Sequence, residues 1–381
     1  MNEALRLQKT WKLLCKLLHW PIEKIFAFSY DKNTLTEPSL VVSNHVTNYD
    51  PLLVAITFPE SYMHFVASEH LFRLGFVSKV LQYLVAPIAR RKGSKGFDAA
   101  MNCLRKIRSG RSVCLFAEGE TTWDGCSQPV YPATATVAKA SGGSLVTYRL
   151  EGGYLTAPRW GKGIRRGKMR GSIVNVYTSQ QLKTMTDSEI EAVINHDLFE
   201  DAYERQKNGP VRYRSCHGAE RLEVALYMCP ECKKIGTLKG KGSSLKCSCG
   251  FEVQYTEYGF FEPQKPFPTM REWQKWQHEQ LLSGEFVHGE ETLFADDNLQ
   301  MIKILDGHVV QKGECGRLSA TETELVFGSE RYAYQDISDL ALVTGRKILF
   351  TYKDSYYELR APEPICLRKY LSVWQNAVSM K

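Results

Sequence analysis

His45 and Asp50 are the pair whose types and spacing could do chemistry, set in Ser43-Asn44-His45-Val46-Thr47-Asn48-Tyr49-Asp50-Pro51. An imidazole can take a proton from a hydroxyl, and a carboxylate behind it fixes the tautomer and stabilises the imidazolium that forms. Five steps of about 100° would set the two roughly 140° apart on a continuous helix, so they can meet only across a turn. The flanks supply one: Leu40-Val41-Val42 reads as a buried strand and Leu52 to Ile56 as a helix start. Asp50 also precedes a proline, which fits a helix N-cap with Pro51 at the first helical position. Spacing alone decides little. His196 and Asp201 repeat it inside a stretch that reads as one acidic helix, from a capping box at Thr186 to about Gln206. Those two fall mid-helix on different faces, and no role is assigned to them.

The elements that must position such a turn follow from the chain around it. Tyr62 to Ala67 reads as a second buried strand, residues 68–84 as a helix, and Val85 to Gly93 as a short strand ending in Arg90, Arg91 and Lys92. Open α/β sheets hold ligands at the carboxyl ends of their strands, so these cations suit a phosphate; a solvated loop fits them equally. Residues 97–109 read as a basic helix. Ser112 to Phe116 is a further strand, running into Ala117-Glu118-Gly119-Glu120-Thr121-Thr122. A helix over 133–141 and a strand over 144–148 complete the β–α alternation of an α/β core. Glycines then interrupt a basic stretch holding Arg159, Lys162, Arg165, Arg166, Lys168 and Arg170, suited to phosphate, to anionic lipid or simply to solvent.

Asn44 to Pro51 resembles the first motif block of the glycerophospholipid acyltransferase superfamily, typified by the 1-acylglycerol-3-phosphate acyltransferases. Pro87-Ile88-Ala89-Arg90 resembles the second block, Phe116-Ala117-Glu118-Gly119 the third and Ser144-Leu145-Val146-Thr147 the fourth, in order, within residues 35–180. The resemblance implies a mixed α/β sheet flanked by helices, and acyl transfer from coenzyme A or a carrier protein to the hydroxyl of a lysophospholipid or related glycerolipid. It makes His45 the general base, Asp50 its orienting carboxylate, and Arg90, Glu118 and Gly119 the residues that shape the acceptor site. No nucleophilic serine or cysteine is required. Five positions depart from the family pattern: Ala117 and Thr147 replace prolines, and Glu120-Thr121-Thr122 replaces Thr-Arg-Ser. In the family that arginine is associated with the acceptor's phosphate, so Thr121 leaves the head group open.

Residues 4–28 carry Leu7, Trp11, Leu14, Leu18 and Ile22 at helical spacing, with Lys9, Lys12 and Lys16 on another face. This is a basic amphipathic helix, kinked or stopped before Pro21, suited to lying on a membrane or to packing on its own domain. The net charge of +7 is uneven: residues 1–210 hold 27 Lys/Arg against 19 Asp/Glu, and residues 211–381 hold 22 against 23. A basic first half suits an anionic lipid surface; nucleic acid is the rival partner, and the near-neutral second half speaks against it. No apolar run of about 20 residues and no leader is visible. Eleven cysteines then point to a reducing cytosol, and the expectation is a peripheral protein on the cytoplasmic face of a membrane.

Cys229-Pro-Glu-Cys232 and Cys247-Ser-Cys249 supply four thiols at two knuckles, a closed tetrahedral set suited to structural Zn²⁺. Thr269 caps a helix through Leu282. Short strands then recur (299–305, 308–312, 325–327, 337–342, 348–352, 356–360), followed by a helix from Pro364 to Met380 with Leu367, Leu371, Trp374 and Val378 on one face. The expected organisation is therefore a membrane-associating helix (1–30), an acyltransferase-like domain (31–210), a zinc-ribbon-like module (211–265), a connecting helix (266–289) and a pleckstrin-homology-like β-barrel or sandwich (290–381). Two other functions fit the same features: a catalytically inactive acyltransferase fold serving as a lipid-binding scaffold, and a zinc-ribbon nucleic-acid binder.

Overall fold

The computed structural model describes residues 3–73, 75–90, 97–283, 292–305, 309–353 and 355–379. The chain forms two compact units, one of Met1–Arg91, Gly96–Arg159 and Gly163–Ser215, the other of Cys216–Lys381 with Trp160–Lys162.

The first unit is a mixed sheet of seven strands. In chain order its elements are α1 (Glu3–Phe26), β1 (Phe28–Tyr30), β2 (Ser39–Ser43), α2 (Asp50–Thr57), β3 (Met63–Ser68), α3 (Phe76–Val85), β4 (Ile88–Arg90), α4 (Phe97–Arg108), β5 (Ser112–Phe116), α5 (Ala133–Ser141), β6 (Ser144–Glu151), α6 (Gly153–Thr156), β7 (Met169–Tyr177), α7 (Ser179–Thr184), α8 (Asp187–Leu198) and α9 (Ala202–Asn208). The strand order is β1-β7-β6-β2-β5-β3-β4. β2 lies between parallel neighbours, with Val42 opposite Leu115 of β5 and Thr147 of β6. It is buried along its whole length, which is why Ser-Leu-Val-Val-Ser reads as a continuous apolar run rather than an alternating one. β7 pairs antiparallel with β6 and makes the sheet mixed. The carboxyl ends of β2, β3, β4 and β5 share one edge, where the turn after β2, Arg90 of β4 and the loop after β5 lie.

Three expectations for this unit need correction. First, α1 continues through Pro21 to Phe26. Second, the apolar face of α1 is not free. Leu7, Trp11, Cys15 and Ile22 are buried, the Trp11 indole donates to the Phe58 carbonyl at 2.9 Å, and the Cys15 thiol donates to the Ala55 carbonyl at 3.4 Å. Hydrophobic burial and two hydrogen bonds thus spend that stripe on α2 and the residue after it. Third, the acidic segment is two helices: α8 ends at Leu198, and Asp201 caps α9 by accepting from the Tyr203 and Glu204 N–H groups at 3.0 Å each. Smaller shifts also occur. Residues 69–73 form a 3₁₀ turn ahead of α3, and β4 is limited to Ile88–Arg90. Arg91 and Lys92 lie outside the described residues.

The second unit holds two antiparallel sheets. A small one contains β8 (Leu238–Lys241), β9 (Ser244–Cys247), β10 (Glu252–Tyr255) and β11 (Phe261–Glu262), and α10 (Met270–Leu282) follows with Thr269 as its N-cap. The larger contains β12 (Phe294–Leu305), β13 (Val309–Ala320), β14 (Glu324–Phe327), β15 (Glu330–Ala333), β16 (Ile337–Val343), β17 (Lys347–Tyr352) and β18 (Ser355–Arg360), with α11 (Arg368–Ser379) last. Its order, β15-β14-β13-β12-β18-β17-β16, is a four-strand meander and a three-strand meander joined along β12 and β18. Irregularities in β12 between Asp296 and Leu299, and between Gln300 and Ile302, bend the shared strand. Leu367, Tyr370, Leu371 and Val373 are buried, whereas Val378 is exposed, so the covered face of α11 is narrower than the periodicity suggested.

Candidate active site and cysteine cluster

The turn after β2 is wound around one carboxylate. Asp50 is fully buried, and its Oδ2 accepts from His45 Nδ1 at 2.8 Å and from the Val46 N–H at 2.7 Å. Its Oδ1 accepts from the Thr47 hydroxyl at 2.7 Å, and the Thr47 N–H lies 3.0 Å from both oxygens. Tyr49 takes the N-cap position of α2 without a side-chain bond, and Pro51 sits in its first turn. Asp50 is therefore the first helical residue rather than the N-cap, and its side chain turns back to satisfy the loop. Upstream, Asn44 anchors the turn to the end of β6: its amide donates to the Leu150 carbonyl and accepts from the Leu150 N–H, both at 2.8 Å.

His45 is held on three sides. Nδ1 faces Asp50, the ring stacks on Phe116 with centroids 4.5 Å apart, and the backbone N–H donates to Glu118 Oε1 at 2.9 Å. Its carbonyl accepts from the Thr122 N–H at 2.9 Å. Because the carboxylate only accepts, Nδ1 carries the hydrogen, and Nε2, on the far side of the ring, keeps a lone pair. The side chain is 19% exposed while Asp50 is closed off, so the imidazole is reachable and its carboxylate partner is not.

Glu118 is the brace between β2 and β5. Its second oxygen accepts from the Gln128 N–H at 2.9 Å, which ties the loop after β5 to the His45 turn. Burial pushes its carboxyl up to about 8, against the downward pull of the bonds donated by Gln128 and His45. Gly119 has φ +79°, and a Cβ there would meet the Tyr131 ring at 2.4 Å, so glycine answers both a backbone and a packing demand. Arg90, at the end of β4, sits with its guanidinium 4.8 Å from the centroid of that same Tyr131 ring.

Glu118 and Gly119 lie on one loop, Arg90 meets it through Tyr131, and of the basic stretch Arg159 reaches the same loop. The Arg159 side chain is 5% exposed; it pairs with Glu120 at 2.5 Å, donates to the Thr121 carbonyl at 3.1 Å and lies 4.2 Å from the Trp123 ring centroid. Arg165 is buried as well, while Lys162, Arg166, Lys168 and Arg170 are exposed. Thr121 is 4% exposed and takes no cation's place. A guanidinium does reach the loop after Gly119, but from Arg159, and Glu120 neutralises it. Sequence reading missed Gln128, Thr122, Phe116 and Tyr131. Thr47 alone had a local signal, three residues before the carboxylate it serves.

In the second unit, Cys229, Cys232, Cys247 and Cys249 bring their sulfurs within 4.8 Å of one another. Cys229 and Cys249 are 3.8 Å apart and Cys232 and Cys247 3.7 Å. Zn–S bonds of about 2.3 Å in a tetrahedron set sulfurs about 3.8 Å apart, so the donor set and the spacing fit that ion. The knuckles are closed by their own backbone: the Lys233 N–H donates to the Cys229 carbonyl at 2.9 Å and the Gly250 N–H to the Cys247 carbonyl at 3.1 Å. Among the described residues these four cysteines are the one such cluster.

Residues 26–151 match the family model described as Acyltransferase. The 1-acyl-sn-glycerol-3-phosphate acyltransferase of Borreliella burgdorferi is 26% identical over 112 residues, 29% of this chain and 44% of that protein, so the chain spans less than half the length of this curated relative. The crystal structure of the 1-acyl-sn-glycerophosphate (LPA) acyltransferase PlsC from Thermotoga maritima aligns with 48% of this chain and 79% of its own, at 17% identity and a TM-score of 0.40. The match to the family model encloses β2, the His45 turn, Arg90 and the Glu118 loop. Residues 26–151 are an acyltransferase-family domain carried within a longer chain.

Proposed function

We propose that this protein moves a fatty acyl group from an acyl thioester, carried by coenzyme A or a carrier protein, to a hydroxyl of a lysophospholipid or related glycerolipid. The observation that carries this reading is the buried Asp50 carboxylate, 2.8 Å from Nδ1 of a partly exposed His45. Nε2 takes the proton of the acceptor hydroxyl as its oxygen attacks the thioester carbonyl. The tetrahedral intermediate collapses to the ester, and the thiolate leaves with the proton returned by the imidazolium. Asp50 holds the tautomer in which Nε2 is the base and stabilises the ring's positive charge. Phe116 and the Glu118 brace fix the ring plane and the turn, so little reorganisation remains for the chemical step. Arg90 and the Glu118-Gly119 segment bind the acceptor. The test is acyl transfer from radiolabelled acyl-CoA and acyl-carrier protein to a panel of lysophospholipids: formation of a diacyl product supports the reading, and no transfer to any acceptor from either donor overturns it in favour of a scaffold.

The reaction belongs on a membrane surface, on the cytoplasmic side. No described helix is long and apolar enough to span one. Support comes from a face of α1 other than the periodic stripe: Leu13, Leu17 and Trp20 are 57%, 62% and 62% exposed and fall within about 60° of one another, with Lys9, Lys16 and Lys24 close by on the helix. Leu13→Glu with Leu17→Glu should release the protein from anionic vesicles, and undiminished binding moves the contact elsewhere. The four cysteines hold one structural Zn²⁺. Protein purified without chelator should carry about one equivalent, and less than about half an equivalent argues against the site.

A further inference from the structure

We propose that Tyr131 is a positioning residue for the acceptor: its ring, seated on Gly119, holds the Arg90 guanidinium beside the His45 turn, ready to take a phosphate monoester. The inference rests on the reading that Arg90 binds the acceptor's phosphate.

Arg90 and Arg159 approach the same loop with opposite prospects. The Arg159 guanidinium is buried and committed to Glu120 and the Thr121 carbonyl. Among the described residues Arg90 forms no ion pair, and its cation lies 4.8 Å from the Tyr131 ring centroid. That distance is within cation–π reach, and a guanidinium can offer a forked pair of N–H bonds to phosphate.

Tyr131 is itself built into place. Its N–H donates to the Ala117 carbonyl at 3.1 Å, and its carbonyl accepts from the Thr134 N–H at 2.8 Å at the start of α5. The ring fills the space that the missing Cβ of Gly119 leaves, 2.4 Å from where that atom would stand. Ala117 and Gly119 flank Glu118, which holds the His45 backbone. β3 separates β4 from β5 in the sheet, and Tyr131 couples the cation at the end of β4 to the loop at the end of β5. Half of Tyr131 is exposed, as expected of a ring that supports a ligand-facing group rather than a core.

The experiment measures KM and kcat for 1-acylglycerol 3-phosphate with acyl-CoA in wild type, Tyr131→Leu, Tyr131→Phe, Arg90→Ala and the Arg90→Ala/Tyr131→Leu double variant. Losing the aromatic face should raise KM about threefold to tenfold, with kcat within about twofold. Tyr131→Phe should restore the wild-type KM, and the double variant should be no worse than Arg90→Ala, because Tyr131 acts through Arg90. If Arg90→Ala raises KM and Tyr131→Leu does not, or if the two effects multiply, the positioning role falls and phosphate binding by Arg90 stands. If Arg90→Ala leaves KM unchanged, or wild type does not use this acceptor, the underlying reading falls and the inference with it.

Discussion

Two regions of this molecule carry a histidine followed five residues later by an aspartate, and they do opposite things with it. At His45 and Asp50 the chain leaves a central strand, turns, and starts a helix with the carboxylate aimed back into the turn. At His196 and Asp201 it leaves one helix and starts another; Asp201 caps the second, and the His196 side chain is 89% exposed. In both places the aspartate stands where a helix begins and satisfies backbone N–H groups, those of the preceding turn at Asp50 and those of the helix itself at Asp201. Only the first adds the histidine as a further donor, and only there does burial remove water's competition for the carboxylate. The difference teaches that the spacing alone brings nothing together, and that the paired arrangement depends on the strand before and the aromatic ring beneath.

The largest effect should come from removing the shared acceptor. Asp50→Ala strands the Val46 and Thr47 N–H groups, each at a cost of about 1–3 kcal/mol, and frees the His45 ring as well. Thermal melts should show marked destabilisation, and acyl transfer should fall by about a hundredfold or more. Next comes Glu118. Its carboxyl titrates near 4.5 when unfolded and is pushed up to about 8 by burial, so between those pH values the folded state binds more protons than the unfolded one. Stability should therefore decline as pH rises from about 4.5 to 8 and level off above. Glu118→Gln should flatten that slope in a series of melts across the window, and an unchanged slope would assign it to other groups. Asp201→Ala should cost about 1 kcal/mol, the worth of an N-cap, and leave acyl transfer untouched. His196→Ala should change stability by less than about 0.5 kcal/mol and activity not at all. Loss of activity in either of the last two would erase the distinction between the two pairs.

What was legible in the sequence follows from how locally each contact is made. His45, Asp50 and Thr47 close their bonds within one turn, so strand, turn and proline announced the pair. The four cysteines were equally readable, because two short knuckles carry all the ligands. Glu118 reaches His45 only through the pairing of β2 with β5, 73 residues apart in the chain, and the order of family motifs, not any local pattern, pointed to it. Tyr131 gave no signal, and Arg159 stood out only as one cation of a basic stretch, since their places depend on how the loop after β5 folds and, for Tyr131, on the missing Cβ of Gly119. The misreading of α1 is physical too. The helix has two apolar stripes, one through Leu7 and Trp11 and one through Leu13 and Leu17, and periodicity cannot say which of them the domain covers. The break before α9 was readable in principle: Asp201 followed three residues later by Glu204 is the pattern of a helix start.

The central claim is that His45 is the general base of acyl transfer, and the most direct measurement compares His45→Ala and His196→Ala side by side. Both variants should melt within a few degrees of wild type, since neither ring is a backbone acceptor. Rates of transfer from acyl-CoA to the acceptor the panel identifies should drop by about two to four orders of magnitude in His45→Ala and stay at the wild-type level in His196→Ala. A folded His45→Ala protein that transfers acyl groups at the wild-type rate would contradict the account.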